Sequence, residues 1–268
     1  MYYKVKDASY WYEMFGEGEP LVFLHGFTGA SSTWEGFVDC FSDDFTMIII
    51  DLPGHGKTTA ETPKTMESFC SDLADLLSHL NLDTVHLVGY SMGGRTALSF
   101  AVFNPKMVKS LILESASPGL EDSKERFARK ENDEQLALRI EQEGLNSFVD
   151  FWENISLFET QKALPEFVQS KVRKERLSQT EAGLAESLRY MGTGSQPSWW
   201  SRLPELKMPI CLVVGRLDEK FVRLNEAMEK ELREGKLIIA EDAGHALHVE
   251  RPGFFGKIVN EFVKEVSV

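Results

Sequence analysis

Three side chains far apart in the chain carry the ingredients of hydroxyl-based catalysis. Ser91 stands in GYSMGG, between the apolar run TVHLVG and the small-residue stretch MGGRTALSFAVF. A G-x-S-x-G at a strand-to-helix junction is a nucleophile elbow, in which the flanking glycines let the backbone turn sharply and leave the serine hydroxyl clear above the sheet. An aliphatic hydroxyl is too weakly acidic to react alone, so it needs an imidazole oriented by a carboxylate. In the elbow architecture the order along the chain is serine, acid, histidine. His245, in the AGH turn after KLIIAED, and Asp218, at the end of PICLVVGRLD, satisfy that order. Asp242 is the competing acid, but it lies too near His245 in sequence to reach the ring from the opposite side. His248 is expected to pack against the segment that follows it, His25 to be a buried structural residue and His55 to hold a loop. His79 and His86 have no catalytic case. Charge developing on a substrate oxygen must be met by preorganised N–H donors. The backbones of Met92, directly after the serine, and of Phe27, in LHGFTGA, are the predicted pair.

Such groups converge only if several strands end on the same side of one sheet. Short β-branched runs alternate here with amphipathic helical stretches, the pattern of a largely parallel sheet covered by helices on both faces. PLVFLHG, TMIIIDLPGHG, TVHLVGYS, VKSLILESAS, PICLVVGRLDE and KLIIAEDAGH are the predicted strands, and the opening segment reads as a strand pair around GEGEP. MESFCSDLADLLSHLN spaces Phe69, Leu73, Leu76, Leu77 and Leu80 as a helix would, and FFGKIVNEFVKEV closes the chain as an amphipathic helix. Between residues 119 and 203 the strand signal disappears, and a charged, helical stretch ends in MGTGSQPSWW. The expected organisation is one α/β core, residues 1–118 and 204–268, carrying residues 119–203 as a helical cap. The cap would lie over the carboxyl ends of the strands, where open α/β sheets bind ligands.

A chain of 268 residues with 43% hydrophobic content can bury a substantial core. Its 29 basic and 42 acidic residues give a formal charge of -13, a field that repels nucleic acid and anionic membranes. An anionic substrate would need a local cluster of arginines, which screening beyond roughly 8–10 Å makes feasible. No apolar run approaches the roughly 20 residues of a membrane span. The opening MYYKVKDASYWYEMF lacks the features of a secretory signal. A cytoplasmic protein is therefore expected. Cys40, Cys70 and Cys211 are scattered without metal-ligand spacing. GEG and GTG do not make the G-x-G-x-x-G of a nucleotide-binding crossover.

Taken in order, HGFTG, DLPGHG, GYSMGG, GRLDEKF and AGHALHVERP resemble the α/β-hydrolase superfamily across essentially the whole chain. The resemblance implies the α/β-hydrolase fold, a mostly parallel central sheet flanked by helices, with Ser91, Asp218 and His245 as its triad. It leaves the reaction open, since esterases, C–C bond hydrolases, haloperoxidases and lyases share this apparatus. Dehalogenases and epoxide hydrolases of the fold carry an aspartate at the elbow, so Ser91 argues against them.

GYSMGGR, SPGL followed by an arginine-bearing helix, FWENISLF, MGTGSQPSWW and DEKF further resemble the 2-succinyl-6-hydroxy-2,4-cyclohexadiene-1-carboxylate (SHCHC) synthase family of menaquinone biosynthesis. That family takes an enolpyruvyl-bearing precursor, SEPHCHC, removes a ring proton beside the succinyl carbonyl and expels pyruvate. The resemblance implies a small tricarboxylate substrate held by Arg95, Arg129 and Arg176, with Arg173 as the rival of Arg176. It also implies that no metal or organic cofactor is needed. Arg95, one turn into the elbow helix, would be costly to desolvate unless a substrate anion or an internal carboxylate paired with it. Tyr90 and Trp152 match pocket positions of the family, although ordinary core packing accounts for either. Lys220, after the triad acid, is read as pairing with substrate or with the cap. A monomer or weak homo-oligomer is expected. Two alternatives stand beside the lyase. One is a carboxylesterase or C–C hydrolase working through an acyl-enzyme, but neutral esters have no use for the arginines. The other is a non-catalytic binding protein, which would gain nothing from an intact triad.

Overall fold

A computed structural model describes residues 1–267 of the chain. Two strands, β1 (Tyr2–Val5) and β2 (Ala8–Phe15), open the fold, and β3 (Glu19–Leu24) runs into the loop that carries Phe27. A short helix, α1 (Val38–Phe41), leads to β4 (Phe45–Ile50), the two-residue strand β5 (Thr59–Ala60) and α2 (Met66–His79). The elbow lies between β6 (Val85–Tyr90) and α3 (Met92–Phe103), and β7 (Val108–Glu114) follows. Three helices, α4 (Ser123–Trp152), α5 (Glu166–Leu177) and α6 (Glu181–Met191), then intervene before β8 (Ile210–Gly215). The chain ends through α7 (Glu219–Glu231), β9 (Gly235–Ala240), α8 (Leu247–Glu250) and α9 (Pro252–Ser267).

The strands form one sheet in the order β1-β2-β4-β3-β6-β7-β8-β9, with β5 paired to β2. From β4 to β9 every neighbouring pair is parallel, so β3, β6, β7 and β8 deliver their following loops to one edge. Only β1, β2 and β5 join in antiparallel fashion. The strand pair expected around GEGEP does not form, because β4 lies between β2 and β3. The cause is the FTMIII run, buried at every position except Thr46. A strand buried on both faces needs a hydrogen-bonded neighbour along each edge, and β2 and β3 supply them.

Alternate side chains of the inner strands serve opposite faces, as the period of a strand requires. Val22, Leu24, Ile48 and Ile50 meet α2 and α3 on one side, whereas Leu21, Phe23, Met47 and Ile49 meet α9 on the other. The spacing of Phe69, Leu73, Leu76 and Leu77 turns one stripe of α2 onto the first core. Each side chain of this size, once fully buried, stabilises the fold by roughly 1.5–3 kcal/mol.

The helices between β7 and β8 hold a small core of their own, built on Ile140, Phe148, Val149 and Leu184. Helix α4 is broken at Gly144 (φ 81°, ψ 165°), and Glu181 Oε1 accepts the freed N–H of Leu145 at 3.0 Å. The last turn of α4 carries Trp152, whose ring meets Phe27 on the loop after β3. The helices are seated on the core by backbone contact. Gly54 (φ 76°) abuts Gly183 so closely that a Cβ on Gly54 would lie 2.3 Å from the Gly183 carbonyl oxygen. Gln179 completes the joint, accepting from Gly56 N at 2.9 Å and donating to Gly29 O at 3.1 Å. No helix among the described residues is long and apolar enough to cross a membrane.

Candidate active site

Ser91 sits at the carboxyl end of β6 with φ 50° and ψ -105°, a left-handed conformation that costs a serine free energy and persists only where its surroundings enforce it. Two constraints do so. Ser91 N donates to Glu114 O on the neighbouring strand at 2.8 Å, and Arg95 N donates to Ser91 O at 2.9 Å to start α3. The sharp turn also presses the start of α3 against β3. A Cβ on Gly93 would stand 2.0 Å from Leu24 O, which is backbone and cannot yield. Gly93→Ala is therefore expected to cost more than about 4 kcal/mol, seen as a collapse of the urea midpoint or as a failure to fold.

His245 lies on the loop after β9, buried, with its ring between the serine and the acid. Its Nδ1–H donates to Asp218 Oδ2 at 2.6 Å, which leaves Nε2 as the acceptor facing Ser91 Oγ at 3.1 Å. The other oxygen of Asp218 accepts from Phe221 N at 3.3 Å as the N-cap of α7, fixing the carboxylate by its helix as well as by its histidine. Asp242, the competing acid, is exposed and makes no bond to the ring. His248 does not simply pack against the segment after it. Its backbone N–H and Nδ1 both donate to buried Glu114, and its ring lies 4.4 Å from that of Tyr90.

The N–H groups of Phe27 and Met92 donate to no backbone acceptor among the described residues, and both residues line the cavity in front of Ser91. Two histidines hold the Phe27 loop. His25 Nε2 accepts from Leu52 N at 3.0 Å, and His55 Nε2 accepts from Thr28 N at 3.3 Å. Burial pushes the first imidazole down to about 4 and the second to about 3. Both are therefore neutral near pH 7, as accepting nitrogens must be.

The cavity encloses about 250 Å³ beneath the cap, and Ser91, His245, Arg95, Arg129, Trp152 and Lys220 contribute to its wall. Arg95 is 8% exposed, and no carboxylate among the described residues contacts it. Its Nη1 donates to Met191 O at 3.0 Å and to Gln196 Oε1 at 2.7 Å, while the remaining nitrogens donate to nothing among the described residues. Burial, reinforced by the charge of Arg129, pulls its pKa down to about 10, so it is a cation at neutral pH. Arg129 is partly exposed and anchored by Nε to buried Asp133 at 2.8 Å. Trp152 stacks on Phe148 and meets Phe27 edge-on, but its buried Nε1 has no acceptor among the described residues. Lys220 is exposed at the rim.

Two of the residues named from the sequence face elsewhere. Arg176 and Tyr90 line a smaller recess that shares Phe27 with the main cavity but does not include Ser91. Arg176 is buried there over the Phe158 ring, 4.7 Å from its centroid, with Nη2 donating to Gln161 Oε1 at 3.2 Å. Burial lowers its pKa and raises that of the Tyr90 phenol. Arg173, the rival of Arg176, pairs with Asp150 and Glu153 on the cap and lies away from the triad. Sequence reasoning also passed over Gln196, which braces Arg95, and Ser115 and Ser117, which line the cavity just beyond β7. The position of these serines after a parallel strand was the available signal, because ligands bind at such strand ends.

Comparison with known proteins agrees with this architecture. A family model described as the alpha/beta hydrolase fold matches residues 19–252. A putative SHCHC synthase of Bacillus subtilis (strain 168) is 45% identical over 251 residues, spanning 92% of this chain and 91% of the relative. The SHCHC synthase of Enterobacter sp. (strain 638) is 34% identical over 87% of this chain and 86% of its own length. Among solved structures, MenH from S. aureus superposes with a TM-score of 0.93 at 35% identity, covering 97% of this chain and 99% of that one.

Proposed function

Because this chain belongs to the α/β-hydrolase family and, within it, to the SHCHC synthases, we propose that its triad serves as a proton-removing base rather than as an acylating nucleophile. The protein is a carbon–oxygen lyase of menaquinone biosynthesis, converting SEPHCHC into SHCHC and pyruvate. His245, held in one tautomer by Asp218, draws the proton of Ser91 Oγ, and the oxygen takes the ring C–H proton beside the succinyl carbonyl. The electron pair moves onto the carbonyl oxygen, where the N–H groups of Phe27 and Met92 stabilise the enolate. As the enolate collapses, a ring double bond forms and the C–O bond to the enolpyruvyl group breaks. The proton held by the serine–histidine pair returns to the departing enolate, which leaves as pyruvate. Arg95 and Arg129 hold substrate carboxylates, Trp152 and Lys220 bound the pocket, and Tyr90 and Arg176 meet the substrate from the adjoining recess. This reading requires no cofactor. It describes a cytoplasmic enzyme, monomeric or weakly associated, acting on a small molecule.

One observation carries the proposal: Arg95, a buried guanidinium with no carboxylate partner among the described residues, lines the same cavity as Ser91 in a chain of formal charge -13. Leaving a cation so placed is expensive unless an anion arrives. The test is incubation with SEPHCHC while pyruvate is followed by a coupled dehydrogenase. Stoichiometric pyruvate release is expected. Rapid hydrolysis of an aryl acetate with no pyruvate from SEPHCHC would overturn the lyase and favour an esterase.

A further inference from the structure

We propose that Ser115 is a further substrate-binding residue, its hydroxyl donating to a substrate carboxylate oxygen beside the Arg95 guanidinium. The inference rests on the lyase reading above and adds one contact to it. Strands β6 and β7 run parallel with Tyr90 opposite Glu114, so Ser91 and Ser115 leave the sheet side by side. Both do so in the left-handed region, at φ 50° and 47°. Glycine takes a positive φ at less cost than serine, and Ser115 N is committed to Val213 O at 2.9 Å. The strained backbone therefore fixes the Cα–Cβ direction of a residue that is 1% exposed.

That side chain has nothing to bond. Ser115 Oγ is buried without a partner among the described residues, although it lies on the wall of the cavity that holds Ser91 and Arg95. A serine hydroxyl ordinarily finds a nearby backbone or side-chain partner, and here neither is taken. It is not part of the proton relay either, because Ser91 Oγ and His245 Nε2 bond each other and neither contacts it. What remains is a donor held ready for an acceptor that arrives with the substrate. A carboxylate offers acceptors only, and a hydrogen bond to a charged acceptor is stronger than one to a neutral oxygen. The unengaged nitrogens of Arg95 present a second set of donors in the same cavity. Hydroxyl and guanidinium together make a carboxylate subsite, which the substrate of an esterase would leave unused.

Ser115→Ala and Ser115→Gly, assayed for pyruvate release from SEPHCHC and for thermal unfolding, decide the matter. Alanine removes the hydroxyl and keeps the Cβ, while glycine removes both and is at ease at φ 47°. In both variants KM is expected to rise about ten-fold, with kcat within about two-fold of wild type and no loss of thermal midpoint in the glycine variant. Should the alanine variant fail to fold, the glycine variant decides alone. An unchanged KM overturns the assignment, and so does an unchanged KM accompanied by a lower midpoint, which would make the hydroxyl a packing group. Wild-type protein that releases no pyruvate refutes the lyase reading itself. Wild-type turnover with an unchanged KM in the variants refutes only the role of Ser115.

Discussion

Ser91→Ala is expected to lower kcat for pyruvate release by about 10³- to 10⁴-fold while leaving the Kd for SEPHCHC within about three-fold of wild type. The asymmetry follows from the geometry. Ser91 Oγ bonds only His245 Nε2 among the described residues, at 3.1 Å, so alanine removes the proton acceptor without disturbing another contact. The arginines proposed to hold carboxylates lie on other parts of the wall and keep their own braces, Gln196 for Arg95 and Asp133 for Arg129. Some acceleration over solution should survive, because the N–H groups of Phe27 and Met92 still receive developing charge. The rate loss by itself does not separate a base from a nucleophile, since both roles need the same oxygen. Intact mass of the wild-type enzyme quenched during turnover does separate them. A base leaves the protein mass unchanged, whereas an accumulating covalent adduct on Ser91 would overturn the assignment. A variant that lost binding as severely as rate would place Ser91 among the binding groups instead.

The parts of this molecule legible in its sequence are those whose chemistry is local. The elbow is one, because a glycine-flanked serine between an apolar strand and a small-residue helix restricts the backbone over a few residues. The aligned bonds of Ser91, His245 and Asp218 were legible for a related reason. Each group ends or follows a strand, and parallel strands end on one edge. Features that depend on distant partners were not legible. GEGEP reads as a hairpin turn until β4, from a later part of the chain, takes the place between β2 and β3. His248 has the sequence context of a packing residue, and its bonds to Glu114 follow from the juxtaposition of α8 with the end of β7. Arg176 stands among charged neighbours on α5. Only the seating of α5 and α6 on the core, through Gly183 and Gln179, decides that it enters the recess beside Phe27 and not the cavity of Ser91. Helical periodicity gives the face of a helix but not what that face meets.

Arg95→Ala is expected to reduce kcat/KM for SEPHCHC by about 10²- to 10³-fold, mostly through KM, while the fold persists. A buried charge that pairs with an incoming charge contributes about 2–5 kcal/mol when one partner is truncated. Arg95 belongs in the middle of that range: it is nearly sealed from water, and a single nitrogen is engaged by the described residues. Arg95→Lys should recover part of the loss, because lysine restores the charge but not the planar fork that grips a carboxylate at two points. The pH dependence adds a second signature. Burial has lowered the pKa of free Arg95 to about 10, so above that pH the unliganded enzyme loses the cation and its affinity for an anion falls. A bound carboxylate favours the charged form and must raise that pKa, so binding takes up a proton near pH 10 in wild type. In Arg95→Ala the affinity is already low and should show no such step. A wild-type KM in Arg95→Ala would sink the carboxylate clamp. The guanidinium would then be a brace between α3 and the Met191–Gln196 segment, and the preference of the cavity for an anion would have to come from Arg129 and Lys220.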